Sequence, residues 1–201
     1  MNIKDGKLLY HLTTIDMFES IVVNGLLSRK ELNDQKIKFT DTANHDILIE
    51  RERLNLSGYI PFHFHIHTKY DTAVKNTYTD KMFIYLCLHR NYARAMDFLI
   101  LPIHPASTEQ PELYSYDEGI TRINWEIMEL RQSDPLPTGI TESYRTLVRM
   151  AECLSPRKIN ISDFLSIKVK DDNSRQIVEK ILKNHRIKTE PPYINIEPKC
   201  F

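Results

Sequence analysis

LLYHLTTIDMFESIVVNGL, residues 8–26, carries two different periodicities end to end. Leu8 to Thr13 form a short apolar and aromatic run suited to a strand, and Thr13 or Thr14 stands where a helix N-cap belongs. Ile15, Phe18, Ile21, Val22 and Leu26 then recur at spacings of three and four, which predicts a helix over 15–24. Gly25 supplies the left-handed exit that ends it.

Outward from this strand and helix, the polar stretch 28–44 reads as one long loop, of the length that often closes over a ligand. HDILIERERL (45–54) predicts a helix ending near Gly58. YIPFHFHIH (59–67) alternates as a strand does, with Ile60, Phe62, Phe64 and Ile66 on one face and Pro61, His63, His65 and His67 on the other. Further strands are expected at 83–88 (FIYLCL) and 98–103 (FLILPI). Prolines and glycines punctuate 105–139 as an irregular excursion holding one helix, INWEIMEL. The C-terminal third predicts a strand (FLSIKVK), an amphipathic helix over 174–185 and a closing strand (YINIEP). Strands and helices intermix without a βαβ rhythm, so the expected class is α+β with a mainly antiparallel sheet. No internal repeat or Gly/Ser linker divides the chain, and residues 1–201 are expected to form a single domain.

Composition narrows the function classes. The chain has 201 residues, 41% apolar and 27% charged, with 27 basic side chains balancing 27 acidic ones, so a polyanion would have to meet a local patch. Cys87, Cys153 and Cys200 are odd in number and widely spaced, with no CxxC pair, which suits a reducing compartment. The N-terminal stretch lacks the apolar run of a signal peptide, and no stretch of about 18 apolar residues occurs, so a cytoplasmic protein without a membrane span is expected. The absence of GxGxxG, GxxxxGK[ST], GxSxG and HExxH motifs lowers the Rossmann, P-loop, α/β-hydrolase and zincin chemistries.

Four features remain that could carry chemistry. His63, His65 and His67 share one predicted strand face but lack carboxylates at ligand spacing, so a polar groove wall is preferred to a metal site and no metal is expected. His11 sits in Tyr10-His11-Leu12-Thr13 at the end of an early strand, where a satisfied core histidine is the plainer alternative. Arg51 and Arg53 lie in an ERER run that normally marks a solvated helix face. Glu152 in RMAECLSP has apolar or small neighbours, an environment suited to a catalytic carboxylate.

In order along the chain, YHLTTIDMFESIVVNGLLS (10–28), NHDILIERE (44–52), YIPFHF (59–64), INWEIM (123–128) and RMAECL (149–154) resemble the successive blocks of the DarT family of NAD-dependent DNA ADP-ribosyltransferase toxins. The resemblance covers roughly residues 8–154, and the C-terminal strand–helix–strand pattern is compatible with it. It implies an ADP-ribosyltransferase-like split antiparallel β core with flanking helices, and the transfer of ADP-ribose from NAD to a base in single-stranded DNA, thymine foremost. Guanine, RNA, and a non-catalytic nucleic-acid binding module are the alternatives. Glu152 matches the family's catalytic glutamate and Arg51 its catalytic arginine. His11, Thr13, Gly25, Leu27, His45 and Arg51 fall on the blocks expected to contact NAD. A toxin of this kind implies a neutralising partner, a macrodomain-type hydrolase or comparable antitoxin. The sequence departs from the family at His45, where many members carry Tyr, and at HFHIHTKYD, where members show Tyr-Phe and then a Pro-Arg-Ser-containing stretch.

The chemistry agrees with that implication. Cleaving a nicotinamide–ribose bond develops positive charge on the sugar, which an ionised Glu152 near the 2′-hydroxyl would stabilise, while Arg51 could hold the diphosphate or a base anion; the division of roles between them stays open. Arg51→Ala is expected to cost activity and leave the thermal midpoint unchanged. For the DNA strand, Lys69, Lys75, Lys81, Arg90 and Arg94 stand against only Asp71 and Asp80 between residues 63 and 94, interleaved with aromatics. The expected strand-binding set is therefore His63, His65, His67, Lys69, Tyr70, Lys75, Arg90 and Arg94, with Arg145 and Arg149.

Overall fold

The computed structural model describes residues 2–39, 45–104, 112–131, 133–188 and 190–201, with His45 and Asp46 described in the backbone only. In chain order the elements are β1 (Leu8–Thr14), α1 (Ile15–Asn24), α2 (Arg29–Asp34), α3 (His45–Arg53), β2 (Ile60–His63), α4 (Lys69–Thr77), β3 (Phe83–His89), α5 (Arg90–Ala95) and β4 (Leu99–Leu101). There follow β5 (Tyr114–Ser115), α6 (Tyr116–Arg122), α7 (Trp125–Glu129), α8 (Glu142–Arg149), β6 (Glu152–Ser155), β7 (Ser166–Val169), α9 (Asp172–Asn184) and β8 (Tyr193–Ile196). The strands form one sheet in the order β5-β4-β6-β2-β1-β3-β7-β8, antiparallel throughout except for β7 with β8.

The sheet is split in the middle. β1 pairs with β3 along seven residues, from Leu8↔His89 to Thr14↔Phe83, but with β2 through Tyr10↔His63 alone among the described residues. Past that pair β1 and β2 diverge, and Pro61 brings no N–H to a ladder at this point. The separation leaves strand edges facing each other across a gap instead of a hydrogen-bonded seam.

Side-chain alternation on β1 and β3 assigns the two faces. Leu9, Leu86 and Leu88 join Phe18, Ile21, Val178 and Leu182 in the main core, so the predicted apolar stripe of α1 is the one that packs on the sheet, against α9. Tyr10, Tyr85 and Cys87 face the other way, where Cys200 and Phe201 cover them. α1 runs over the predicted residues, and Gly25 follows at φ 84°, where an added Cβ would lie 3.0 Å from the Ile159 carbonyl oxygen.

α2 and α6 fall in stretches expected to be irregular, and one predicted strand ends early. α2 lies inside the 28–44 stretch, with no buried residue and hence no apolar stripe, and is held by the capping box of Ser28 with Glu31. The strand predicted over 59–67 stops at His63; the chain bends, His67 takes φ 63°, and Thr68 with Asp71 boxes the start of α4. His63, His65 and His67 therefore do not share a face, which corrects the alternation expected from sequence.

Gly119 in α6 stands against β4, where a Cβ at this position would lie 2.3 Å from the Ile100 Cβ. Overpacking of this kind costs about 1–3 kcal/mol. Gly119→Ala is expected to lower the thermal midpoint by roughly 3–10 °C, and Ile100→Ala in the same chain to recover part of that loss; additive losses in a thermal unfolding series would contradict the contact.

Candidate active site

Where β1 and β2 part, an open cleft, about 1340 Å³ with the solvent space it includes, is lined from both strands and by α1, α2, α3 and α4. Its floor is His11 to Thr14 from β1 and Ile60, Pro61 and His63 from β2. His11 bridges the split: its Nδ1 lies 2.8 Å from the Pro61 carbonyl oxygen and its ring packs on Phe62 at 5.5 Å. Burial pushes the imidazole down from its usual value, so it is neutral at pH 7 and donates through Nδ1–H to that carbonyl.

Two charged residues a hundred positions apart meet on its wall. Glu152 opens β6, in register with His63 of β2 and Leu101 of β4, and is 3% exposed; Arg51 comes from α3 and is 6% exposed. Arg51 Nη1 donates to both carboxylate oxygens, at 2.9 and 2.7 Å. Two positions on, Arg53 points outward and pairs with Glu50, so the solvated-face alternative for the ERER run holds for Arg53 and fails for Arg51. Burial alone would push the Glu152 carboxyl up, but Arg51, with the nearby His104 and His63, outweighs it and holds the group below the ordinary carboxylate range. His104 itself is driven down to about 4, first by burial, and is uncharged at neutral pH; Arg51 is then the cation that keeps Glu152 ionised. Arg51 occupies one acceptor site on each carboxylate oxygen, and a carboxylate has further lone pairs with which to accept a ligand hydroxyl.

Three polar atoms on residues lining this cavity are buried and lack a partner among the described residues: Arg51 Nη2, Thr14 Oγ1 and Asp71 Oδ1. Orphaned polar atoms on the lining residues of one cavity suit a polar ligand there. A free guanidinium N–H, a hydroxyl and a carboxylate oxygen fit the phosphates, sugar hydroxyls and amide of NAD.

The expected NAD-contact residues His11, Thr13, Gly25, Leu27 and Arg51 all line the cavity; the expectation for His45 concerns a side chain outside those described. Sequence reasoning passed over Thr14, Met17, Ser28, Tyr59, Asp71, His104 and Met150 as site residues, although they line it too. Among these Thr14, Ser28 and Asp71 carry a local signal, as residues of helix caps, and that signal points to helix starts rather than to a ligand.

The expected strand-binding set divides. His63 and Tyr70, with rings 6.4 Å apart, line the cavity, and His67, Lys69 and Arg94 are exposed, Arg94 in a surface pair with Asp117. The others have structural tasks, which corrects the expectation for them. Arg90 donates to the carbonyls of Ile3, Lys4, Leu8 and Phe64 while packed on Phe64 and Trp125. Arg145 holds the Arg131 carbonyl and Glu142, Arg149 the carbonyls of Met128 and Leu130. The buried His65 has a backbone carbonyl at each ring nitrogen, and Lys75 is tied to the Cys200 carbonyl and the Tyr85 hydroxyl. Among the described residues no group of three His, Cys, Asp or Glu side chains is placed to hold a metal ion, and no helix is long and apolar enough to cross a membrane.

In architecture the chain is an ADP-ribosyltransferase. It superposes on the Thermus sp. 2.9 DarT in complex with ADP-ribosylated ssDNA with a TM-score of 0.77 at 19% identity, over 97% of this chain and 96% of that one. The same Thermus protein in complex with NAD+ matches with a TM-score of 0.74 at 17% identity, over 98% of each chain. Thermosipho africanus DarTG in complex with ADP-ribose matches with a TM-score of 0.72 at 20% identity, over 98% of this chain and 51% of that longer one. No curated protein matches by sequence. The family model described as "ssDNA thymidine ADP-ribosyltransferase, DarT" matches residues 10–201, and the chain belongs to that family.

Proposed function

We propose that this cleft transfers ADP-ribose from NAD to thymine in single-stranded DNA, with Glu152 and Arg51 as the catalytic residues. The observation that carries the proposal is the buried Arg51–Glu152 pair at the point where the sheet splits. Glu152, kept ionised by Arg51, accepts the 2′-hydroxyl of the nicotinamide ribose on its free lone pairs and stabilises the positive charge that grows on that sugar as nicotinamide leaves. Arg51 keeps Nη2 for the donor's diphosphate or for the base as it loses its proton. His11 braces the floor, and Thr13, Gly25 and Leu27 line the same cleft and are offered to the rest of the dinucleotide. His63 and Tyr70, which line the cleft, and the exposed His67 and Lys69 close to them in the chain offer stacking faces and a cation to a single strand.

Nicotinamide is released as the C–N glycosidic bond breaks, and a new bond forms from the same sugar carbon to the base, whose proton goes to Glu152 or water. The product is irreversible damage unless removed, which supports a hydrolase antitoxin as partner; the Thermosipho africanus DarTG chain, about twice the length matched here, fits such a pairing. Three free cysteines suit a reducing, cytoplasmic setting.

The test is incubation with NAD and short oligonucleotides, with mass spectrometry of the adduct. One ADP-ribosyl unit is expected on thymine-containing DNA, with stoichiometric nicotinamide, and none on the same DNA lacking thymine or on RNA. Modification of RNA or of guanine alone would overturn the assigned acceptor.

A further inference from the structure

We propose that Asp71 is a specificity-determining residue that selects the carboxamide of the NAD nicotinamide, its Oδ1 accepting that group's N–H. The inference rests on the function proposed above.

Asp71 is 1% exposed and held from three directions. Its backbone N–H donates to Thr68 Oγ1 at 3.0 Å, and Oδ2 accepts the Tyr85 hydroxyl at 3.0 Å and the Thr68 N–H at 3.3 Å. Burial first, and then Asp71, push the Tyr85 hydroxyl far up, so Tyr85 stays protonated and remains the donor. Those bonds fix the carboxylate plane and leave Oδ1 without a partner among the described residues, on a residue that lines the cavity. A capping box needs only one of the two oxygens. The other, buried and unmatched among the described residues, is an acceptor open to a further donor.

Position identifies the donor. Tyr70, adjacent to Asp71, has its ring 6.4 Å from His63, and His63 is paired in register with Glu152. Asp71 thus lines the cleft one residue from the Tyr70–His63 contact that flanks Glu152. Beside Glu152, NAD offers the sugar hydroxyl that Glu152 accepts and the carboxamide, whose NH2 is the N–H donor on the leaving group. A carboxylate here also repels a ligand carrying a carboxylate in place of the amide, which sets acceptor against acceptor and charge against charge. The site should therefore use NAD and reject its deamidated form, nicotinic acid adenine dinucleotide.

The test compares the two dinucleotides, as ligands in calorimetry and as donors to a thymine oligonucleotide, in the wild type, Asp71→Asn and Tyr85→Phe. Wild type is expected to favour NAD by at least tenfold in both readouts. Asp71→Asn, whose amide can donate to a carboxylate, is expected to shrink that preference by tenfold or more, with ADP-ribose affinity unchanged. Tyr85→Phe disturbs the same corner but keeps the charge, so the preference should persist. Equal use of both dinucleotides by the wild type, or an unchanged preference in Asp71→Asn, would overturn the assignment. Selective binding of NAD without transfer to DNA would instead refute the proposed acceptor and leave the role of Asp71 supported.

Discussion

Glu152→Gln is expected to lower the transfer rate on the order of 10³-fold while NAD affinity changes by no more than about threefold. Gln keeps the size and an acceptor oxygen but removes the charge, and the charge is what a sugar acquiring positive character requires. The effect therefore belongs in kcat rather than in KM for NAD. Burial favours the neutral form of Glu152, and Arg51 2.7–2.9 Å away reverses that preference, so the wild-type group is ionised across the neutral range. Steady-state kinetics with a thymine oligonucleotide, beside calorimetry with NAD, separates the two quantities. A loss that appears equally in NAD binding would make Glu152 a binding residue instead.

Arg51→Ala is expected to damage both activity and stability, in place of the unchanged midpoint expected from a purely catalytic role. Removing one partner of a buried pair leaves the other charge uncompensated, at about 3–5 kcal/mol. The cleft admits water, so the low end of that range applies, which for a chain of this size is a drop of roughly 6–12 °C in thermal midpoint. The sign with pH follows from Glu152. In the wild type its folded pKa lies below the unfolded value, so the pair's contribution is complete above the unfolded value and is lost as pH falls through the folded one. Without Arg51, burial holds the pKa above the unfolded value, and the penalty is largest at neutral pH and shrinks as acid protonates the carboxyl. Melting curves of both proteins between pH 8 and pH 5 should converge on acidification. A gap independent of pH would mean that Arg51 stabilises through packing alone.

Much of the fold is legible in the sequence wherever a pattern repeats over enough residues. The helix over 15–24 and the strand–helix–strand at the C-terminus announce themselves by apolar spacing, and the mainly antiparallel class follows from their order. α2 and α4 escape because each is short and polar and is secured by its capping box rather than by an apolar stripe. The strand through 59–67 is cut short by the positive φ of His67 and the cap at Thr68, neither of which interrupts the alternation of residue types.

The site is legible through resemblance more than through residue type. Nothing local separates Arg51 from Arg53; their opposite orientations depend on Glu152, a hundred positions away. Arginines are the harder case. Arg90, Arg145 and Arg149 look like a strand-binding patch in a list of charges, but each is claimed by backbone carbonyls that distant segments bring to it, and no charge count contains that information. Asp71 is hidden for the opposite reason, since its capping role accounts for its presence and conceals the second oxygen.

The most direct measurement of the central claim is the structure of the Glu152→Gln protein with NAD bound, the substitution serving to keep the donor whole. The account predicts the nicotinamide ribose against residue 152, with its 2′-hydroxyl in hydrogen-bond reach of the side chain, and the adenosine at the Gly25–Leu32 end. A donor lying in the reverse direction, or outside the gap between β1 and β2, would contradict it.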